Sequence, residues 1–234
     1  MAQVAMIGLP CEDAPTVTDH QGYVYRTVQL GPQCWMAENM RCTTSPTGKA
    51  WVHNPVFSVD NPVFKSYYIT VRNSQYGNLY NWSAAMDLNI NEYAFYVSNE
   101  RRRGICPKGW HLPSDAEWTQ LTDFVSSQRP YACGNNTENN AKALAATTGW
   151  KRCKKSCTAG YQPEENNASG FAVLPAGGFY DDGYGYFGKG TFFWTSTEYN
   201  NESAYKRYLD YDTTCLVRYT YLKIGGGAVR CVQN

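Results

Sequence analysis

Nine cysteines in 234 residues constrain this chain more than any other feature. Their spacing completes no metal site. Cys153 and Cys157 form a C-x3-C pair, but no second Cys/His pair follows at finger-like spacing, and His20, His53 and His111 are scattered. Disulfides account for the cysteines better, and disulfides persist in oxidising compartments, so the chain reads as exported. An odd count leaves at least one thiol free or intermolecular.

The remaining bulk properties exclude several classes. A chain of this length buries roughly 70–75% of its unfolded surface, enough for a true core. Twenty-one basic and twenty acidic residues nearly cancel. The runs Arg101-Arg102-Arg103 and Lys151-Arg152-Cys153-Lys154-Lys155 read as solvated faces, not as a nucleic-acid patch. No stretch approaches the ~20 apolar residues of a membrane span. The start, MAQVAMIGLPC, lacks the charged opening of a secretory signal and reads as a replacement start on a processed chain.

Periodicity gives a mixed α+β pattern. Gln21-Gly22 marks a hairpin, after which Tyr23, Tyr25, Thr27 and Gln29 alternate with Val24, Arg26, Val28 and Leu30. Trp35, Met36 and Met40 suggest a short buried helix. Residues 43–75, with Pro46, Pro55 and Pro62, suggest ordered loop, and YGNLYNWSAAM (76–86) a strand or turn running into a helical start. Ser114 and Glu117 form a capping box ahead of Trp118, Leu121 and Val125 at helical spacing. A second main helix is expected over about 140–148, stopped by Gly149. After Gly170 come short strands split by glycines. The length is enough for one large or two small domains.

Tests for chemistry fail one by one. Asp115 and Glu117 sit in the first helical turn, where the macrodipole favours anions, and need not be a catalytic pair. His111, beside Trp110, reads as structural. Asp181-Asp182 lacks the ordered ladder of a calcium loop. Ser196 is in no nucleophile elbow, and no glycine-rich piece cradles phosphate. No catalytic residue, metal or cofactor is implied.

The final segment is different. Six tyrosines lie between Trp194 and Cys231, among Lys206, Arg207, Asp210, Asp212 and Arg218. Tyr is a large, stiff, amphipathic contact, suited to recognition. On a strand Tyr205, Arg207, Leu209 and Tyr211 share one face, and Lys206, Tyr208, Asp210 and Asp212 the other. Two acids and a lysine are costly to bury unpaired, so the even-numbered face is expected outside.

Seven ordered segments carry a resemblance: TVQLGPQCWMAENMR, YGNLYNWSAAM, GICPKGWHLPSDAEW, AKALAATTGW, ASGFAVLPAGGFY, FFWTSTEYN and AVRCV. From about Pro15 to Cys231 the chain resembles the Fibrobacter succinogenes major paralogous domain family. The resemblance implies an N-terminal extension over 1–14 and one domain over 15–234, with a C-type-lectin-like fold of two main helices, short twisted antiparallel sheets and much ordered loop. It also implies an exported surface protein, some relatives being variable proteins of diversity-generating retroelements. By position, Arg207, Leu209, Tyr211, Arg218, Lys223 and Gly226 would be framework. Lys206, Tyr208, Asp210, Asp212, Thr213, Cys215, Val217, Tyr219, Thr220, Tyr221, Leu222, Ile224 and Gly225 would be diversified.

The implied disulfides are Cys106 with Cys231, Cys11 with Cys34, and Cys133 with Cys157, leaving Cys42, Cys153 and an exposed Cys215. The Glu-Pro-Asn and Trp-Asn-Asp motifs of calcium-dependent lectins are absent, so calcium-dependent sugar binding does not carry over. The expected function is therefore a binding protein at the cell surface, or on a virion, facing a protein or glycan ligand. Nucleic acid and a membrane span are not expected. The tip of a surface fibre is an alternative, and a formylglycine-generating-type enzyme the weakest one.

Overall fold

The chain is seen in a computed structural model that describes residues 8–53, 67–70, 74–88, 101–134, 136, 138–180 and 183–234. The expected hairpin forms from β1 (Thr16–Thr18) and β2 (Val24–Leu30). Its turn is held by Asp19, whose Oδ1 accepts from the backbone of Gln21 and Tyr23 while Oδ2 accepts from Tyr25 Oη at 2.7 Å. β3 (Gln33–Met36) follows, where a helix was expected. The strand wins because Trp35 and Met36 feed two separate cores on opposite faces, which only period 2 allows.

β4 (Val52–His53), β5 (Tyr67–Thr70) and β6 (Asn78–Tyr80) make a three-stranded sheet, so part of the proline-rich stretch is strand. Most of the rest of that stretch lies outside the described residues. One helical turn, α1 (Trp82–Ala85), is capped by Asn81. β7 (Trp110–His111) leads into α2 (Asp115–Ser127), whose capping box forms as expected and whose buried stripe is Trp118, Leu121 and Val125.

The second expected helix is a single turn, α3 (Ala141–Leu144). Backbone bonds from Ala146 N to Val173 O (2.7 Å) and from Val173 N to Leu144 O (2.8 Å) draw the chain into an extended bridge. Pairing with a distant segment thus overrides the helix propensity of Ala-Lys-Ala-Leu-Ala-Ala. Among the described residues α2 is the one long helix, and none is long and apolar enough to cross a membrane.

β8 (Gly178–Tyr180) and β9 (Gly183–Gly185) form a small hairpin. β10 (Gly190–Glu198), β11 (Ser203–Asp210) and β12 (Val217–Leu222) form an antiparallel sheet. The chain then returns beside β10, where Ala228 exchanges backbone bonds with Phe192 and Trp194. It ends as β13 (Val232–Gln233), inserted between β3 and β7 in the five-stranded sheet β1-β2-β3-β13-β7. The triple glycine makes this return possible. A Cβ on Gly226 would stand 2.6 Å from Phe179 Cβ, and one on Gly225 would strike the Tyr221 ring.

Two aromatic cores flank the five-stranded sheet. In one, Trp118 packs on Trp35, Phe171 and Phe193 at centroid distances of 4.7, 5.9 and 5.1 Å. The other holds Trp82, Trp110 and Trp194 with Met36, Met40 and Met86. All three expected disulfides are present: Cys11–Cys34, Cys106–Cys231 and Cys133–Cys157. Cys42, Cys153 and Cys215 are free, and Cys215 is half-buried, not exposed. Burial pushes its thiol pKa up.

Candidate functional site

The register of β10–β12 decides which residues share a face. Trp194, Lys206 and Tyr219 form one cross-strand row, and Phe192, Tyr208 and Val217 the next. The opposite face carries Phe193, Arg207 and Arg218 in one row.

The second face docks on α2. Asp115 Oδ1 accepts from Arg207 Nε at 3.0 Å and from its terminal nitrogen at 2.7 Å, and Oδ2 accepts from Arg218 Nε at 2.6 Å. Thr119 Oγ1 takes a further bond from Arg207, and the Arg218 guanidinium lies 3.8 Å over the Tyr205 ring. Asp115 is thus more than a helix-terminal charge: it clamps two strands to α2. Glu117 turns elsewhere, accepting from His111 Nε2 at 2.8 Å and from Ser114. Burial pushes its carboxyl up, but the bonds from His111 and Ser114 outweigh that and hold its pKa below the usual range.

The first face carries a continuous aromatic array. Tyr208 stacks on Phe192 at 4.5 Å, and Tyr219 meets both, at 6.0 and 5.9 Å. Tyr221 extends the array to Tyr180 of β8, at 5.6 Å, and Tyr180 reaches Tyr186 at 5.8 Å. Tyr208, Tyr219, Tyr221 and Tyr180 are half-buried, and Tyr186 is 48% exposed. The Tyr219 hydroxyl is itself sealed and has no hydrogen-bond partner among the described residues. Burial, reinforced by Tyr180 and Tyr221, raises its pKa.

Two residues expected on the exposed face are buried. Lys206 is 1% exposed, with Nζ donating to Gly226 O at 3.1 Å and lying 3.9 Å from the Trp194 ring centre and 4.7 Å from that of Tyr221. The argument that an unpaired lysine stays outside fails because ring faces and a carbonyl replace the missing carboxylate. Burial lowers its pKa well below the ordinary lysine value. Asp210 is 4% exposed at the end of β11 and accepts from Tyr211 N. Burial, with Asp212 nearby, raises its carboxyl pKa to about 6.

The other expected positions split by depth. Asp212 and Leu222 are exposed, while Thr213, Val217, Thr220 and Ile224 are half-buried along with Tyr208, Tyr219 and Tyr221. Gly225 is buried. Of the implied framework positions, Arg207, Leu209, Lys223 and Gly226 are buried, Tyr211 is half-buried and Arg218 is exposed. Sequence reading missed Tyr180, Tyr186 and Phe192 as members of the array. Their aromatic spacing was visible, but the pairing that brings them beside Tyr208 was not.

Among the described residues no group of three or more His, Cys, Asp or Glu is placed to hold a metal ion, and Asp181 and Asp182 lie outside them. The sequence model of the Fibrobacter succinogenes major domain matches residues 28–233. No curated protein and no solved structure matches the chain.

Proposed function

The chain belongs to the Fibrobacter succinogenes major domain family, and from that premise we propose that it is an exported binding protein. Its recognition surface is the aromatic face of β10–β12. The fold is read as C-type-lectin-like, and the chain as a variable protein of the retroelement-diversified kind. Three disulfides suit the oxidising surroundings of such a protein.

One observation carries the reading: a cluster of half-buried tyrosines, Tyr208, Tyr219 and Tyr221, stands on a sheet anchored from behind by Asp115. Half-buried rings on a rigid base offer contact area with little rotamer entropy left to lose. Leu222, Thr220, Val217, Ile224, Asp212 and Thr213 would form the adaptable rim. Lys206 and Asp210 shape the surface from beneath instead of touching ligand. The ligand class is protein or glycan on a cell or phage-host surface.

The test is binding of the purified chain to a glycan panel and to bacterial surface extract. Tyr208→Ala combined with Tyr221→Ala should weaken binding by at least ~30-fold, as for an anchor worth ~2 kcal/mol. Retained binding by a folded double variant would refute the assignment of this face. A neighbouring reverse transcriptase gene with a near-copy of the DNA for residues 200–231 is the expected genomic sign; its absence would remove the retroelement part alone.

A further inference from the structure

A second site lies away from the aromatic array and does not depend on it. A cavity of about 230 Å³ is lined by Arg101, Arg103, Lys108, Gly109, Trp110, His111 and Asn234. Three of these side chains are cationic and exposed. Among the described residues they carry few commitments. Lys108 forms no ion pair or hydrogen bond among the described residues. Arg103 Nε donates to Cys106 O at 2.8 Å, and its two terminal nitrogens have no partner among the described residues. Among the described residues Arg101 pairs with Glu117 alone, at 3.8 Å, and Glu117 already accepts from His111 and Ser114.

The walls are rigid. The Cys106–Cys231 disulfide pins one side. Val232 pairs with His111 and Gln233 with Trp110, and Asn234 N donates to Gly109 O at 3.0 Å. His111, 2% exposed, is held by Glu117 Oε1 and Asn234 Oδ1, each at 2.8 Å. Lys108 stands at the tip of the turn closed by Trp110 N and Pro107 O. Like charges gathered around a concavity raise the local anion concentration, and two guanidinium forks suit tetrahedral oxyanions.

We propose that this basic pocket binds a phosphate or sulfate group, free or as the ester of a sugar. The arginines supply paired N–H donors and Lys108 a point charge. This also gives Arg101 and Arg103 a role beyond that of a solvated face.

Calorimetric titration with inorganic phosphate and inorganic sulfate, at constant ionic strength set with chloride, tests the proposal. Saturable binding of at least one is expected. Arg101→Gln with Arg103→Gln should weaken it by ~10-fold or more, and Lys108→Gln by a few-fold. Tyr208→Ala should leave it unchanged, so failure here is distinguishable from failure of the aromatic surface. Glucose 6-phosphate and glucose 6-sulfate separate the sources. A phosphate ester should bind more tightly as pH rises through ~6, where it gains its second charge, and a sulfate ester should not. All three replaced side chains are exposed, so the variants should fold. Non-saturable uptake, or equal affinity in the arginine variant, would overturn the proposal.

Discussion

The two faces of the β10–β12 sheet bury cations by opposite means. On the α2 side Arg207 lies against a carboxylate, Asp115, with Thr119 completing the fork. On the aromatic side Lys206 is buried without any acid, among Trp194, Tyr221 and a carbonyl. The first arrangement fixes the sheet to the helix by directional bonds. The second uses ring faces, which are less directional than paired N–H···O bonds. A framework and a contact surface can therefore share one thin sheet.

The comparison can be broken at several points. The largest effect should come from Cys106→Ser with Cys231→Ser, which frees the strand that β13 contributes. Opening a loop spanning 125 residues costs ~4–5 kcal/mol on the chain-entropy model. Chemical denaturation should show that loss, and an unchanged midpoint would mean the terminal strand is held by pairing alone. Next, Asp115→Ala leaves Arg207 buried and unpaired, at a cost of about 3 kcal/mol. A loss below about 1 kcal/mol would show that Arg207 finds water or another acceptor.

On the other face the sign reverses. Lys206→Met should raise stability at pH 7 by about 1 kcal/mol, since it removes a desolvated charge that no acid compensates. The folded pKa of Lys206 lies below its unfolded value, so the unfolded chain binds more protons between the two. Stability of the parent should therefore climb with pH from the folded pKa toward ~10.4, and the variant should lack that climb. Asp210 behaves as the mirror case. With its folded pKa raised to about 6, the folded chain binds more protons below that value. Stability should rise as pH falls through about 6 toward ~3.9, and Asp210→Asn should flatten the curve. The smallest effect belongs to Tyr219→Phe. Removing a sealed hydroxyl without a partner should be neutral or stabilising, by ~1 kcal/mol at most. A clear destabilisation would reveal a partner for that hydroxyl.

Much of the local structure was legible. Ser114 and Glu117 announced α2, Gln21-Gly22 the first hairpin, and the glycines after Gly170 the later strands. Each is a short-range signal, settled within a few residues. The errors share a different cause. Trp35 and Met36 read as helical because adjacent large apolar residues suit a buried helix, and only a second core on the far side of the sheet makes them strand. Ala145 and Ala146 left α3 for a bridge to Val173, a partner far along the chain.

The same division runs through the candidate surface. Residue order alone settled that the terminal strands are aromatic, that period 2 sorts them into two faces, and that cysteines here form disulfides and no metal site, because these follow from side-chain chemistry and backbone geometry. Which of those side chains reach water was settled by the fold. Lys206 lies buried because Trp194, Tyr221 and the returning Gly226 happen to meet over it, and Tyr180 joins the array because β8 lands beside Tyr221. Burial depends on what packs against a residue, and that partner is chosen by strand pairing across long sequence separations, which no local pattern encodes.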